Sequence, residues 1–580
     1  MSTSGLRMRC LALGAAASCL AWVGAVAAPG SSQAQSADLI LRNAKIYTVD
    51  PRKPLASAVA IKDGRFIAVG TDADVARFRA ATTKEVDLGG HFVTPGFIDS
   101  HTHIHSGGEY VIGVQLRDAR TLAEVQRRVA AYAKAHPEKQ WIVGEAWSYG
   151  YPDMARNEPT RQMLDAVVSD RPVFLSSGMA HAGWANSTAL RMAGVTRSTA
   201  DPKGSIIVRD ANGDPTGWFK EDPASKLVQD KIPKETLQQT REIMQGAMQE
   251  AARVGVTRLV SCGGDWETLP VLAQWEQQGK LLTRFSISAW ASPNSIDDQF
   301  AQLVADGHKR YHSDWVEAGT VKFIEDGVIE SHTAYMPEGY ADDHGEKGID
   351  FWDAEKQKEG VIKLAKLGVQ VYTHAIGDGA IHQTLDAYEA AEKNGAPKDW
   401  RPRIEHYEAP YPADIARLVR LHAIASVQPA MIYPKDQWMG MEGLWTKYAG
   451  DKRTETAFPL HSVLALKGSL AFGTDWPITD LNPMLGVRNA VLRQSYDGEP
   501  AGGWVPHEKI SLDESIKAYT LGSAYAAHRE NFEGSISVGK LADLVVLSDD
   551  LTTIATNKIQ DVKVLRTIVG GKTVYEYQGN

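Results

Sequence analysis

The middle of the chain alternates short apolar runs with longer amphipathic segments, and this alternation limits the fold more than any other feature. Short runs rich in Val, Ile, Leu and Phe are typical of buried strands, whereas the segments between them have helical periodicity. Repeated strand–helix units predict a parallel sheet, and about eight of them predict an α/β fold of the TIM (β/α)8 barrel type. The strand-like runs are residues 92–98, 141–144, 172–175, 256–260, 284–288, 319–324, 369–373, 424–427 and 469–473.

Both ends of the chain are rich in strand signals. Asp63 and Gly64 separate two such runs and form the dipeptide that most strongly predicts a hairpin turn. Gly570 and Gly571 predict a similar turn near the carboxyl terminus. Because the two ends of a folded unit commonly meet, we predict a small β-sandwich domain built from both chain ends. The strand-like runs at the two ends are residues 39–49, 58–69, 539–547 and 564–574.

These patterns divide the 580 residues into a few parts. We expect the first part of the β-sandwich at 38–92, the barrel at 93–522 and the second part of the sandwich at 523–580. The segment from about 176 to 245 is turn-rich, above all at residues 209–217, so we predict that it interrupts the barrel as an insertion.

The amino terminus has the pattern of a targeting segment. Arg7 and Arg9 precede an almost wholly apolar, Ala-rich stretch at 10–28, with small residues suited to cleavage at its end. This pattern predicts a signal peptide at 1–28 and an exported protein, either periplasmic or secreted. The alternative is an uncleaved stretch that anchors the chain in a membrane; no later stretch of the sequence is long and apolar enough to span a bilayer.

Charge and cysteine content exclude several classes of function. The net charge is −9 and basic runs are absent from the sequence, so we expect no nucleic-acid partner. Of the three cysteines, only Cys262 would remain after removal of the leader, which excludes a disulfide within the mature chain. The sequence predicts a small-molecule partner and gives no indication of an oligomeric state.

Side chains suited to metal binding stand where the predicted strands end. Because these ends meet at one mouth of a barrel, residues distant in sequence become neighbours there. Residues i and i+2 of a strand share a face, so both imidazoles of His101 and His103 can reach one ion. Each residue alone also has an ordinary structural interpretation, but the joint pattern favours a metal site. The set comprises His101, His103, Lys322, His374, His406 and Asp475.

Several motifs in this order resemble those of the amidohydrolase superfamily, specifically its amidohydrolase family 3 branch, which includes enzymes like N-substituted formamide deformylase. The resemblance covers essentially the whole mature chain. The motifs are VTPGFIDSHTH at 93–103, VKFIEDG at 321–327, THAIGD at 373–378, RIEH at 403–406, SVQP at 426–429, GTDWP at 473–477 and GSISVGKLADLVV at 534–546.

The resemblance implies a role for each metal-site residue. His101 and His103 would hold one divalent ion, for which Zn²⁺ is the best candidate, and Asp475 would ligate it and carry protons. His374 and His406 would hold a second ion, with Lys322, carboxylated by carbon dioxide, bridging the two. An unmodified Lys322 would instead leave a site with one ion.

Two further predictions concern the role of Cys262 and the residues that contact the substrate. Cys262 is either a thiolate ligand, as in relatives similar to D-aminoacylase, or a small buried thiol. His181 and Trp184 lie in a segment that resembles a substrate-contacting stretch of the branch, so we predict that they bind substrate.

The function implied by the resemblance is hydrolysis of a carbon–nitrogen bond other than a peptide bond, in an amide or a formamide, by a metal-activated hydroxide. Asp475 and His374 would be the catalytic residues. The high number of tryptophans, 15, is consistent with an apolar or aromatic substituent on the substrate. The alternatives are an esterase, a lactonase or an N-acyl-amino-acid hydrolase on the same site, and a metal-free barrel that only binds its ligand.

Overall fold

The computed structural model describes residues 36–148, 151–154, 158–178, 182–202, 205–220, 222–293, 295–432, 443–495 and 497–579. The predicted signal peptide lies outside these residues, and with it the basis for the predicted export. Among the described helices, none combines the length and the apolar character needed to cross a membrane.

Eight parallel strands form the central sheet and follow one another in sequence order. A backbone bridge between Thr102 and Trp476 brings the segment after the last strand onto the first strand, so that the sheet is nearly closed into a barrel. The predicted TIM barrel is therefore confirmed. The strands are β1 (Phe97–Thr102), β2 (Val256–Ser261), β3 (Arg284–Trp290), β4 (Val316–Ile324), β5 (Val371–Ala375), β6 (Arg403–His406), β7 (Ile424–Val427) and β8 (Ser469–Phe472).

Helices pack on the outside of the barrel through an apolar face. Leu237–Arg253 begins at a capping box in which Thr236 and Gln239 satisfy each other's backbone amides, and it buries Ile243, Met244 and Ala247. The described helices are Asp72–Ala76, Ile104–Ile112, Leu122–Ala135, Arg161–Asp165, Ser187–Ala193, Asp222–Gln229, Leu237–Arg253, Leu269–Gln277, Asp298–Arg310, Ala354–Lys366, Asp378–Lys393, Pro412–Arg420, Leu444–Ala449, Asp451–Thr454, Leu460–Ala465, Pro483–Leu492, Leu512–Lys517 and Ser523–Ala526.

Two further sheets form the predicted β-sandwich: one is built from amino-terminal strands alone, and the other combines strands from both chain ends. Asp63 and Gly64 both have positive φ (48° and 74°), which is the geometry of a tight hairpin turn. The two sheets share an apolar core to which Leu41, Phe66 and Leu544 contribute. In spatial order the strands are Arg65–Gly70, Ala58–Lys62, Leu39–Arg42 and Lys84–Asp87 in one sheet, and Lys572–Glu576, Val564–Val569, Leu544–Leu547, Phe92–Pro95, Lys45–Tyr47 and Leu55–Ala56 in the other.

The insertion begins earlier in the chain than the predicted start at about residue 176. The runs at 141–144 and 172–175 do not join the barrel. They belong to a separate six-stranded sheet, formed by the part of the sequence between β1 and β2. The predicted end at 245 is also wrong, because Leu237–Arg253 contacts β2. Both sheets contain buried parallel strands, so local periodicity could not separate them. The strands of the inserted sheet are, in spatial order, Ile206–Arg209, Pro215–Lys220, Ala182–Ala185, Val173–Ser177, Ile142–Trp147 and Val114–Gln115.

Trp184 belongs to the core of this inserted sheet, so its predicted role in substrate binding is wrong. Its side chain is fully buried, and its Nε1 donates a hydrogen bond to the Thr160 carbonyl at 2.9 Å. Its ring packs edge-on against Trp147, with ring centroids 5.7 Å apart. An apolar ring with its one polar atom satisfied is used for packing.

Replacing Trp184 by Ala should therefore lower the free energy of unfolding by about 3–5 kcal/mol, because it leaves a large cavity. Thermal unfolding followed by circular dichroism would measure the effect. Ile206→Ala is the matched control, since Ile206 lies in the same sheet and is 50% exposed. An unchanged unfolding midpoint in Trp184→Ala would show that the residue does not stabilise the insertion.

Candidate metal centre

The first two histidines stand at the carboxyl end of β1. His101 is a strand residue and is fully buried, whereas His103 follows the strand and precedes the helix Ile104–Ile112. The side chain of His103 is 30% exposed, so this edge of the site is open to solvent. The two rings lie edge to face with their centroids 5.8 Å apart. Both imidazoles therefore face a common space, as the spacing predicted.

Asp475 is brought to these histidines by hydrogen bonds between the two edges of the barrel. Its backbone N–H donates to the His101 carbonyl at 2.7 Å. The Asp99 carboxylate accepts the backbone N–H groups of His101 and Thr474 at 3.1 and 3.0 Å, respectively. As a result, Oδ1 of Asp475 lies 3.4 Å from His101 Nε2 and 3.2 Å from His103 Nε2.

His374 and His406 are the other two histidines of the cluster. They stand at the carboxyl ends of the adjacent strands β5 and β6. Their ring centroids are 4.3 Å apart, and that of His406 is 4.8 Å from the centroid of His101. The structure thus brings together residues that are more than 300 positions apart in the sequence.

Hydrogen bonds orient two of the rings. Nδ1 of His101 lies 2.6 Å from Glu405, whose carboxylate also accepts a hydrogen bond from Arg403 at 2.8 Å. A proton on Nδ1 leaves the lone pair of Nε2 facing Asp475. Nε2 of His374 lies 3.1 Å from the Gly327 carbonyl, which leaves its Nδ1 as the free acceptor. A carboxylate or carbonyl behind a histidine is the usual support for a metal ligand.

The ionisation of these groups suits cation binding. Burial and the neighbouring cation of Lys322 lower the pKa of His374 to about 3, so its ring is neutral. Burial and His374 lower the pKa of His406 in the same way. Burial opposes ionisation of Asp475, but the nearby histidines outweigh it and hold the pKa of that carboxyl well below its usual range. The site therefore offers the neutral imidazoles of His374 and His406 and the carboxylate of Asp475.

Unsatisfied polar atoms show that these residues fit a metal ion. Among the described residues, His101 Nε2, His406 Nδ1 and Asp475 Oδ1 are buried and have no hydrogen-bond partner. Such atoms cost free energy unless a ligand satisfies them. Ligand atoms of His101, His103 and Asp475 all lie within 4.8 Å of one another. Nitrogen and carboxylate donors in this arrangement match the preferences of Zn²⁺ and similar ions.

Comparisons with known proteins agree with this geometry. Residues 84–575 match the model of a family described as the amidohydrolase family. The chain belongs to the amidohydrolase family. It is therefore a hydrolase, and similar solved structures include metal-dependent hydrolases.

Three relatives illustrate the similarity. The protein LONG AFTER FAR-RED 3 of Arabidopsis thaliana is 32% identical over 93% of this chain and 92% of its own length. N-substituted formamide deformylase of Arthrobacter pascens is 28% identical over 94% of this chain and 100% of its own length. The crystal structure of an uncharacterized metal-dependent hydrolase from Pyrococcus furiosus is 26% identical, covers 88% of this chain and 99% of its own, and superimposes with a TM-score of 0.69.

Lys322 of this amidohydrolase lies beside the imidazoles on β4. Its side chain is 1% exposed, and it acts as a neighbouring charge on His101, His374 and His406. Within the described residues, no hydrogen bond or ion pair of its side chain is found. A cation at this position is unfavourable next to groups that would bind other cations.

The structure bears on the prediction for Cys262 but not on the prediction for His181. The Cys262 thiol is buried among Ile98, Val260 and Tyr372, and its Sγ lies 3.9 Å from the Ser100 carbonyl. These contacts favour the buried thiol, although ligand atoms of Cys262, His101 and Glu405 also lie within 4.8 Å of one another. His181 falls outside the described residues, so its predicted contact with substrate stays a prediction.

Supporting carboxylates behind the metal ligands were missed by the sequence analysis. Asp265 accepts the backbone N–H of His105 at 2.8 Å and thereby holds the start of the helix after His103. Asp326 accepts the backbone N–H groups of Ile376 and Gly377, at 3.0 and 2.8 Å, behind the end of β5. Of these carboxylates, only Glu405 could have been found from the sequence. It lies one residue before His406, and strand alternation places it on the same face as Arg403, a suitable partner for a buried carboxylate.

Replacing Glu405 by Gln should weaken metal binding by about 10–100-fold, because His101 loses the carboxylate that orients it. Competition with a chelator would measure the affinity, with circular dichroism as a check on folding. Glu392→Gln, an exposed change on the helix Asp378–Lys393, is the control. Equal metal affinity in the two variants would contradict a role for Glu405 behind the metal ligand.

Proposed function

We propose that this amidohydrolase cleaves the carbon–nitrogen bond of an amide or a formamide that carries an apolar substituent. The observation that supports this most directly is the convergence of four imidazoles and the Asp475 carboxylate at the mouth of the barrel. The similarity to N-substituted formamide deformylase adds support for a formamide.

The residues present would hold two divalent ions. His101, His103 and Asp475 would ligate the first, and His374 and His406 would ligate the second. Carboxylation of Lys322 would turn a cation beside the imidazoles into an anionic ligand, which suits its buried position there. Bound ions, with Zn²⁺ the best match to these donors, supply Lewis acidity and lower the pKa of water towards neutrality.

Asp475 has the position of the proton carrier. Its carboxylate lies between the buried ring of His101 and the half-exposed ring of His103, on the open side of the site. Its carboxyl is ionised, which is the form that can accept a proton from the attacking water. It can then deliver that proton to the leaving nitrogen, which must be protonated to depart as an amine.

Glu405, Arg403 and Asp99 hold this arrangement without touching the substrate. Burial raises the pKa of Glu405, but Arg403 and His101 outweigh that effect and lower it to about 2, so Glu405 remains an anion. That anion keeps the Nδ1 proton of His101 in place. Asp99 joins β1 to the segment that carries Asp475, so the two sides of the site move together.

A hydrolysis screen with parallel metal analysis would test the proposal. Purified protein would be assayed on N-substituted formamides, aryl amides, N-acyl-amino acids, esters and lactones, before and after treatment with a chelator. We expect turnover of amides or formamides that is lost with the metal and restored by Zn²⁺. Preferential turnover of esters, lactones or N-acyl-amino acids would replace the proposed substrate class. Protein that binds less than about one ion per chain and stays inactive with added Zn²⁺ would contradict the catalytic proposal altogether.

We also propose that the protein is exported and that residues 1–28 are removed as a signal peptide. The basic start and the apolar, Ala-rich stretch that follows it support this proposal. Amino-terminal sequencing of protein from the producing cell would test it. A mature chain that begins at Met1 would contradict it.

A further inference from the structure

Trp290 is placed next to the metal centre by strand pairing. It is the last residue of β3, and it lies directly opposite Lys322 of β4 in the register of the two parallel strands. Side chains of paired residues in adjacent parallel strands project from the same face about 5 Å apart. Trp290 is therefore a neighbour of the residue that stands among the imidazoles.

Alternation along β3 shows which face this is. Phe285, Ile287 and Ala289 belong to the core between the barrel and its helices, so they point outwards. Ser286 and Trp290 are then on the opposite, inward face. Ser286 agrees with this, because its hydroxyl accepts a hydrogen bond at 2.9 Å from Arg258, a fully buried residue of the adjacent strand β2. Trp290 thus lies at the open end of the barrel interior.

The indole of Trp290 is supported on one side and partly exposed to solvent. A Cβ atom at Gly263 would lie 2.3 Å from Cε3 of Trp290, so the ring rests on the glycine backbone. Gly263 also has a φ of 99°, which a side chain would strain. Nevertheless 44% of Trp290 is exposed, whereas Lys322 opposite it is 1% exposed.

Other tryptophans in the described residues do not offer such a surface. Trp147 and Trp184 are fully buried in the inserted sheet, and Trp476 is 2% exposed behind Asp475. Trp290 is the one tryptophan classed as exposed within the described part of the chain. An exposed indole beside a catalytic centre provides a large flat apolar surface for a ligand.

We propose that Trp290 is the aromatic platform of the substrate site and that it binds a neutral, planar aryl group next to the bond that is cleaved. This inference rests on the proposed function for the identity of the substrate, but the binding surface itself does not depend on turnover. A neutral group is favoured over a cationic one because the adjacent ligands are placed to hold divalent cations, which repel positive charge.

Two metal-chelating probes that share a hydroxamate group but carry a phenyl or a methyl substituent would test the proposal. Benzohydroxamate and acetohydroxamate share the group that binds the ions, so the ratio of their affinities reports on the site for the ring. Isothermal titration calorimetry on the metal-loaded protein would give both dissociation constants. We expect benzohydroxamate to bind about tenfold more tightly or better, and Trp290→Ala to abolish most of that preference.

Matched variants separate this effect from a loss of folding. Trp290→Phe should keep much of the preference, because it keeps a flat ring in the same place. Phe532→Ala should leave the ratio unchanged: Phe532 is 39% exposed and packs against Arg529, which pairs with Glu317 near the amino end of β4. Unfolding midpoints would verify that each variant is folded.

The outcomes distinguish this inference from the proposed function. Equal affinity of the two probes for the unmodified protein, or an unchanged ratio in Trp290→Ala, would overturn the role of Trp290. A ring preference that depends on Trp290 in a protein that hydrolyses no amide would support Trp290 while refuting the proposed activity.

Discussion

Replacing Asp475 by Asn should lower kcat by about 10²–10⁴-fold, which is the usual contribution of a general base and acid. The amide cannot take a proton from water or pass one to the leaving nitrogen, and it is a weaker metal ligand. Oδ1 of Asp475 lies 3.4 and 3.2 Å from the Nε2 atoms of His101 and His103, so its loss affects both functions. Steady-state kinetics together with metal content per chain would measure the two effects.

Asp480→Asn is the matched control for this experiment. Asp480 follows in the same segment, is exposed and accepts the backbone N–H of Asn482 at 2.9 Å, so the change should have little effect on kcat. Turnover that is retained in Asp475→Asn at full metal occupancy would mean that another group carries the proton.

Replacing Lys322 by Ala or by Arg should remove the second ion and nearly all turnover. Arg keeps the positive charge but cannot be carboxylated, so it distinguishes a carbamate ligand from a simple buried cation. We expect metal analysis to give about one ion per chain in both variants instead of about two. Added propionate, which can occupy the space of the lost carboxylate in Lys322→Ala, should restore part of the activity.

The two variants make this prediction falsifiable. A Lys322→Arg protein with full activity would show that a cation is sufficient at this position and would exclude the carbamate. Lys347→Ala, a change in an exposed lysine, should alter neither metal content nor kcat. Thermal unfolding of each variant would separate loss of metal from loss of the fold.

Several features of the site could be predicted from the sequence because they are local. The spacing of His101 and His103 was sufficient to place both rings on one side of a strand end. The strand-like runs before Lys322, His374 and Asp475 placed them at the same end of the barrel. These inferences needed only strand periodicity and the rule that parallel strands in a barrel share their carboxyl edge.

Other features depend on contacts that no local pattern encodes. Trp184 looked like a candidate for substrate binding because of its neighbours in the sequence, but it is buried in an inserted sheet. Trp290 attracted no attention in the sequence and is the exposed tryptophan at the mouth. The difference is set by which sheet each strand joins and by how closely Gly263 lets the ring of Trp290 approach.

The sequence by itself determined the fold class, the family and the identity of the residues at the strand ends, because periodicity and motif order are properties of the chain. Only the tertiary structure decided where the insertion begins, which carboxylates support the histidines and which tryptophan is exposed. Glu405 behind His101, for example, joins positions 304 residues apart. Such pairings are set by the closure of the barrel, which brings strand ends together irrespective of their separation along the chain.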